Sequence, residues 1–189
     1  MTGRGRQQLR IIGGRWRGRR VQFADLPGLR PTADRNRETL FNWLQPVLPG
    51  SRCLDLFAGS GALGLEAASR GAGHVLLVEQ AGQALRHLRA ALSQLEADNV
   101  SVWAGDARQF LRQPAQAFDI VFLDPPFASA LLEPVCEQLE RGHWLASDAR
   151  IYLEHAVNDM PAALPGNWLL LREKQAGQVR YALYRREAA

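Results

Sequence analysis

A glycine-rich loop between an apolar strand and a helix constrains the fold of this chain more than any other segment. The stretch 54–64, LDLFAGSGALG, carries the pattern GxGxxG at Gly59, Gly61 and Gly64. Glycines between a strand and a helix let the backbone approach a bound nucleoside closely. The pattern alone also fits NAD, so the class of ligand has to be decided from neighbouring residues.

The rest of the chain alternates predicted strands with predicted helices. Predicted strands cover 52–57, 74–79, 100–104, 118–124, 150–155, 168–174 and 179–185. Predicted helices cover 33–48, 62–70, 81–96, 107–112 and 131–140. Apolar strands that alternate with helices indicate a parallel sheet covered on both sides. The last two strands, joined around Gly177, predict an antiparallel hairpin. We therefore expect an α/β, Rossmann-like fold.

Acidic residues near the ends of the predicted strands favour one class of ligand. Asp55 lies four residues before Gly59, where a carboxylate would stand beside an ammonium group and oppose a pyrophosphate. Glu79 ends the next strand and can accept hydrogen bonds from both hydroxyls of a ribose. Asp106 follows the third strand, where it can reach an adenine amino group or cap a helix. The predicted cofactor site comprises Asp55, Phe57, Ala58, Gly59, Ser60, Gly61, Glu79, Asp106, Ala107 and Asp124.

The predicted catalytic residues are Asp124, Pro125, Pro126 and Phe127, at the carboxyl end of the fourth predicted strand. Open α/β sheets bind ligands at this edge, and two prolines stiffen the loop. An aromatic amine is a weak nucleophile because its lone pair is delocalised into the ring. Acceptors on its two N–H groups, here the Asp124 carboxylate and the Pro125 carbonyl, would free that lone pair. Phe127 would stack on an extruded base. Catalysis would consist mainly of positioning the amine against its reaction partner, which needs no metal.

Positive charge is concentrated near the beginning of the sequence. The whole chain has a net charge of +4, whereas residues 1–37 hold ten arginines against Asp25 and Asp34 and carry +8. Such a segment is typical of proteins that bind a polyanion, because arginine pairs with phosphate and stacks on bases. We predict a nucleic-acid-binding extension over 1–32 and a catalytic domain over 33–189. The predicted nucleic-acid contacts are Arg10, Arg15, Arg17, Arg19, Arg20, Arg30 and Arg35.

Several segments together resemble one known family. They are RIIGG at 10–14, RGR at 17–19, LRPT at 29–32, DRNRETLFNWL at 34–44, LDLFAGSGALGLEA at 54–67, DPPF at 124–127 and AGQV at 176–179. Over nearly its whole length the chain resembles the RsmD family of bacterial 16S ribosomal RNA guanine-N2 methyltransferases. The segment 34–44 joined to the glycine loop is more specific for this family than DPPF, which many methyltransferases share.

The resemblance implies a seven-stranded, mostly parallel methyltransferase sheet with a small N-terminal extension. It implies S-adenosylmethionine as methyl donor, with S-adenosylhomocysteine as product. The implied target is the N2 atom of guanine 966 of 16S rRNA within the small (30S) ribosomal subunit. With this family we expect a monomeric cytoplasmic enzyme of rRNA processing that has no membrane partner and no metal.

Other functions stay open from the residues alone. The DPPF chemistry equally serves a DNA adenine-N6 methyltransferase, although no separate DNA-recognition domain is visible. A nucleic-acid-binding module that has lost catalysis and a dinucleotide oxidoreductase are further alternatives. The intact acidic and glycine positions oppose the first of these, and DPPF has no role in the second. Two cysteines exclude a disulfide framework, and no apolar stretch is long enough to span a membrane.

Overall fold

The computed structural model describes residues 7–26, 33–126, 130–159, 161 and 163–188. The strands are β1 (Gln8–Arg10), β2 (Arg20–Gln22), β3 (Arg52–Asp55), β4 (His74–Glu79), β5 (Val100–Ala104), β6 (Phe118–Leu123), β7 (Leu145–Ala156), β8 (Trp168–Ala176) and β9 (Val179–Arg186). The α-helices are α1 (Asp34–Leu44), α2 (Ala62–Ser69), α3 (Gly82–Leu95), α4 (Ala107–Phe110) and α5 (Leu132–Arg141), and a 3-10 turn covers Gly14–Trp16.

Strands β3 to β9 form one seven-stranded sheet in the order β5-β4-β3-β6-β7-β9-β8. Every pairing from β5 to β7 is parallel, whereas β9 runs antiparallel to both β7 and β8. The predicted α/β fold, its mostly parallel sheet and its closing hairpin are therefore confirmed. The order of the central strands reverses between β3 and β6, and open α/β sheets bind their ligands at such a switch point.

Alternate residues of the strands fill two separate cores. Cys53, Ile120 and Phe122 belong to the core shared with α1, α2 and α3. Their neighbours Leu54 and Val121 belong to the core shared with α4 and α5. Side chains of a strand point alternately to its two faces, so buried apolar residues in both sets require a helical layer on each side.

Two predicted boundaries were wrong in an informative way. The strand predicted over 150–155 begins at Leu145, because Phe118 pairs with Leu145 and the next pair joins Ile120 to Arg150. The residues between these two pairs form a bulge, and their polar sequence hides the strand from an apolar pattern. The helix predicted over 33–48 ends at Leu44, before Pro46, which cannot continue a regular helix.

The described part of the basic extension is an integral layer of the fold. Strands β1 and β2 pair in antiparallel fashion, with Leu9 opposite Val21. Leu9, Trp16, Val21 and Phe23 are buried in the same core as α1, α2 and α3. A boundary between domains at residue 32 stays a prediction, but the described residues before it pack on the sheet domain rather than standing apart from it.

A buried carboxylate joins this extension to α2. Glu66 is fully buried, and its two carboxylate oxygens accept the backbone N–H groups of Ile12 at 2.9 Å and Gly13 at 2.7 Å. The same carboxylate pairs with the fully buried Arg37 at 3.3 Å and with Arg70 at 2.7 Å. One of the ten arginines counted in the basic segment therefore lies inside the protein and offers no charge to a nucleic acid.

A second contact fixes the extension at the end of α2. The Ser69 hydroxyl donates to the Gly13 carbonyl at 2.6 Å and accepts the Trp16 N–H at 3.0 Å. Gly14 has a φ of 75°, and a Cβ atom there would overlap the Ser69 carbonyl. Only glycine combines that backbone conformation with so close an approach.

We predict that Glu66→Gln lowers the free energy of unfolding by about 3–5 kcal/mol, since it removes the buried carboxylate that pairs with Arg37 and leaves that buried guanidinium to the exposed Asp34. Glu137→Gln serves as the matched control, because Glu137 pairs with Arg141 at an exposed i,i+4 position and should cost about 1 kcal/mol or less. Urea unfolding of the two variants and the parent protein makes the measurement. A loss at Glu66 no larger than that of the control would show that this carboxylate does not hold the extension.

Candidate active site

The acidic residues singled out from the sequence meet at one edge of the sheet. Asp55 is the last residue of β3, Glu79 is the last residue of β4, and Asp124 directly follows β6. Asp106 lies two residues beyond β5. Because these four strands are parallel, their carboxyl ends share one edge, where ligands of open α/β folds bind.

The glycine loop crosses this edge between β3 and α2. Gly59 and Gly61 have φ angles of 52° and 79°, in the left-handed region that favours glycine. The third glycine of the pattern, Gly64, is a packing residue, because a Cβ atom there would overlap the side chain of Leu77 on β4. The loop is further fixed by the Ala58 N–H, which donates to the Val78 carbonyl at 3.0 Å.

Asp55 is buried beneath this loop, with 2% of its surface exposed. Its carboxylate accepts the Gly64 N–H at 2.9 Å. Burial raises the pKa of Asp55 to about 7, and the negative charge of Glu79 contributes to the rise. The carboxylate therefore stabilises the turn, and its ionised form would gain from a nearby cation.

Glu79 ties the glycine loop to the end of β4. One of its oxygens accepts the Gly59 N–H at 2.7 Å, and the other accepts the backbone N–H groups of Gln80 at 2.9 Å and Ala81 at 2.7 Å. These bonds hold the carboxylate in one orientation at the ligand edge. Three of the four lone-pair sites of the carboxylate are thus filled, and the oxygen that accepts the Gly59 N–H can still accept a hydroxyl donor.

Asp106 is the N-cap of the short helix α4. Its Oδ1 atom accepts the backbone N–H groups of Arg108 at 2.9 Å and Gln109 at 3.3 Å. The interpretation of Asp106 as a helix cap is therefore confirmed. Contact of Asp106 with an adenine amino group remains a prediction. Asp106 and the buried Ala107 both lie at the carboxyl edge of the sheet, where this contact would form.

The predicted catalytic loop follows β6 at the same edge. Asp124 is half-buried, Pro125 is buried and Pro126 is exposed, whereas Phe127 lies outside the described residues. Asp124 also lies close to Tyr152 of β7. The pKa of the Tyr152 hydroxyl is raised well above its usual value by burial, then by the charges of Glu154 and Asp124.

A cavity of about 170 Å³ opens beside this loop. It is lined by both prolines of the motif, by the start of α5 and by the end of β7, including Glu154 and His155. Sequence reasoning missed Glu154. The available signal was an acidic residue at the end of an otherwise apolar run, IYLEH, on the strand next to the catalytic motif.

The predicted nucleic-acid contacts are exposed wherever they are described, but they do not share one environment. Arg10 pairs with Asp34 at the start of α1 at 3.1 Å. Arg15 pairs with Asp98 at 3.0 Å, and Arg19 donates to the Gln94 carbonyl at the end of α3 at 2.6 Å. Arg17, Arg20 and Arg35 are exposed, and Arg30 lies outside the described residues.

Arg15 and Arg19 lie towards the sheet edge opposite the catalytic loop. Their partners lie shortly before β5, with Gln94 in the last turn of α3 and Asp98 in the loop that follows. Strand β5 starts at the amino edge of the parallel sheet. Helix α1, by contrast, ends shortly before the beginning of β3, so its first residues and Arg10 lie towards the carboxyl edge. The arginines thus divide into a set nearer the candidate site and a set farther from it.

Two other kinds of site are absent from the described part of the chain. No cluster of three or more histidine, cysteine or carboxylate side chains there could hold a metal ion. None of the helices described combines the length and the apolar character needed to cross a bilayer.

Comparisons with known proteins agree with this fold. Residues 9–185 match the protein family described as conserved hypothetical protein 95. The chain is 52% identical over 184 residues to ribosomal RNA small subunit methyltransferase D of Escherichia coli strain K12, covering 97% of this chain and 93% of that protein. It is 45% identical to the protein of the same name from Haemophilus influenzae, covering 94% and 93% of the two chains.

A solved structure supports the same relationship. It is described as the putative methyltransferase yhhF from Escherichia coli, and it superposes with a TM-score of 0.90 at 49% identity over 96% of this chain and 99% of that chain. The matched regions span nearly the whole chain, from the extension to the closing hairpin. The chain belongs to the family of small-subunit ribosomal RNA methyltransferase D.

Proposed function

We propose that this protein transfers a methyl group from S-adenosylmethionine to the exocyclic N2 atom of a guanine in 16S rRNA of the small ribosomal subunit. The observation that carries the proposal is the position of Asp124-Pro125-Pro126 beside the glycine loop, at the switch point of a methyltransferase sheet. The 52% identical relative is named for small-subunit ribosomal RNA. Guanine 966 is the nucleotide expected from the family resemblance.

The residues at the sheet edge fit S-adenosylmethionine, which supplies an electrophilic methyl group on a positively charged sulfur. Glu79 presents an oriented carboxylate, of which the oxygen bonded to the Gly59 N–H can still accept a ribose hydroxyl. Asp106 and Ala107 would face the adenine, and residues 57–61 would follow the nucleoside. Asp55 lies where a carboxylate would stabilise the ammonium group of the amino-acid moiety, directly or through a water molecule.

The catalytic loop would activate the amine. The Asp124 carboxylate and the Pro125 carbonyl would accept the two N–H groups of N2, which localises the lone pair on nitrogen. Placing the amine in this geometry removes most of the entropic cost of the encounter, and a positioned pair of reactants needs little further catalysis. Phe127, one residue beyond Pro126, would stack on the base once it has left the RNA stack.

The basic surface would supply affinity for RNA that does not depend on sequence. Contacts between arginine and phosphate release counterions, so they make binding strongly dependent on salt. Of the predicted contacts, Arg10, which pairs with Asp34, and Arg35, in the first turn of α1, lie towards the catalytic edge. An assembled subunit presents a continuous phosphate surface to such side chains, and a monomer suffices for the contact.

The function is tested with labelled S-adenosylmethionine and small subunits from cells that lack this activity, followed by nucleoside analysis of the RNA. We expect N2-methylguanosine from the parent protein. Asp124→Ala should lower the rate at least 100-fold while cofactor affinity persists, since it removes an acceptor from the amine. Asp148→Ala is the matched control, because Asp148 is an exposed carboxylate on the same sheet. Label in DNA supplied in parallel, and none in RNA, would contradict the proposal.

The raised pKa of Asp55 predicts a pH-dependent stability. Between pH about 4 and about 7 the folded protein keeps a proton on Asp55 that the unfolded chain has released. Protonated Asp55 therefore contributes to the free energy of unfolding. This contribution is fully present at low pH and is lost as the pH rises through about 7. Asp55→Asn has no such titration, so its free energy of unfolding should rise relative to the parent protein by roughly 2–4 kcal/mol between pH 4 and pH 8. A difference that is constant with pH would contradict a raised pKa.

The division of the arginines predicts two different salt dependences. The double variant Arg10→Ala, Arg35→Ala should reduce the slope of log K against log salt for subunit binding by roughly 1–2. Arg15→Ala, Arg19→Ala removes the same charge at the opposite edge and should leave the slope unchanged. Equal slopes for the two double variants would show that the extension binds RNA without regard to this division.

A further inference from the structure

We infer that Glu154 selects guanine by accepting the N1–H of the target base while Asp124 and Pro125 hold its N2 amine. The inference rests on the proposed function and deepens it, because the acceptors of the catalytic loop would activate any aromatic exocyclic amine. A second contact must therefore distinguish guanine from the other bases that carry such an amine.

Glu154 lies beside the catalytic aspartate on the neighbouring strand. Leu123 of β6 and Leu153 of β7 are register partners in a parallel pairing, so Asp124 and Glu154 are the next positions along the two strands. Adjacent strands are about 4.8 Å apart, and residues in register point to the same face. The two side chains thus start from neighbouring positions at the carboxyl edge, from which both can reach one edge of the same base.

The surroundings of Tyr152 support this placement. The Tyr152 hydroxyl donates to one Glu154 oxygen at 2.7 Å, and the charges of Glu154 and Asp124 both raise the pKa of that hydroxyl. One phenol therefore lies within electrostatic reach of both carboxylates. The hydrogen bond also fixes the orientation of Glu154, which leaves its second oxygen in a defined position.

Glu154 is a costly residue for a purely structural role. It is 6% exposed, and burial raises the pKa of its carboxyl group while the Tyr152 hydrogen bond only partly offsets that rise. A buried carboxylate held by a neutral hydroxyl gains strongly from a further donor. An N–H group of a base would be such a donor, and it would stabilise the ionised form.

The adjoining cavity has the electrostatic character that such a base requires. Glu133, Glu154 and Asp159 line it, and no lysine or arginine belongs to its described lining. The cavity therefore disfavours a phosphate and favours a ring edge that presents donors. Pro125, Pro126 and Leu131 supply apolar walls for the faces of a base.

The donor pattern of guanine matches a carboxylate in this position. On its Watson–Crick edge guanine presents adjacent donors at N1 and N2, whereas adenine presents an acceptor at N1. Adenine would place its N1 lone pair against the Glu154 carboxylate, and a site built to accept a hydrogen bond rejects a ligand that lacks the donor. Glu154 thereby separates guanine-N2 from adenine-N6 methylation, which share the chemistry of the catalytic loop.

The test uses small subunits reconstituted with either guanine or 2,6-diaminopurine at the position that the parent protein methylates. Diaminopurine keeps the N2 amine but has an acceptor at N1. We expect the parent protein to prefer guanine in kcat/KM by roughly 10- to 100-fold. Glu154→Gln can donate its amide N–H to the N1 acceptor, so the preference should fall at least tenfold or reverse. Thermal unfolding and cofactor binding are measured on the same samples.

Glu154→Asp is the second variant, because it keeps a carboxylate in a shorter side chain. It should lose kcat/KM on guanine and retain the preference for guanine over diaminopurine. An unchanged substrate ratio in Glu154→Gln, with activity lost equally on both bases, would overturn the inference and leave Glu154 a structural partner of Tyr152. That outcome leaves the proposed function standing, since N2-methylguanosine from the parent protein reports on it separately. Absence of that product would overturn both.

Discussion

The buried carboxylate of Glu66 is the contact on which the arrangement of the other parts depends. It accepts two backbone N–H groups of the extension and pairs with Arg37 of α1, while its own helix begins at the glycine loop. Removing one member of such a network leaves buried polar groups unsatisfied, and the cost of each is large. The extension, α1 and the cofactor loop are therefore coupled mechanically as well as in stability. A basic segment that reads as a tail is held rigidly against the helix that opens the active site.

The parallel sheet brings the carboxyl ends of its strands together at one edge, where the candidate site lies. Asp55, Glu79, Asp124 and Glu154 are far apart in the sequence, yet each stands at the carboxyl end of a strand. Only β9 runs the other way, and it lies on the far side of β7 from the catalytic loop. Each acid has a different environment, which gives each a different task. Asp55 is buried and holds a loop, Glu79 is fixed by backbone donors, and Glu154 meets a neutral hydroxyl.

Local patterns predicted most of the fold, whereas contacts over long sequence distances were beyond them. Apolar runs and the glycine loop identified the seven strands of the main sheet, because each run is visible in the sequence of its own strand. The strands β1 and β2 were not predicted, since three residues carry no periodicity and their burial depends on Glu66 and Ser69. Arg37 was counted as a surface charge because composition cannot reveal a buried partner. The bulge before Arg150 hid the start of β7 for a related reason, since its polar residues break the apolar pattern.

The residues of the candidate site also differ in whether local sequence could predict them. Asp55, Glu79 and Asp124 could be singled out because each stands next to a motif, and the shape of the backbone there is local. Glu154 has no motif of its own, and its relevance comes from strand register, which only the folded sheet displays. Under the proposed function, the acceptors that polarise the amine serve adenine and guanine alike, so the choice of base requires a contact outside the catalytic loop. The inferred contact comes from Glu154 on β7, and a change at that position would leave the loop on β6 in place. A single sheet edge of this design could therefore be adapted to different bases while its methyl-transfer geometry is kept.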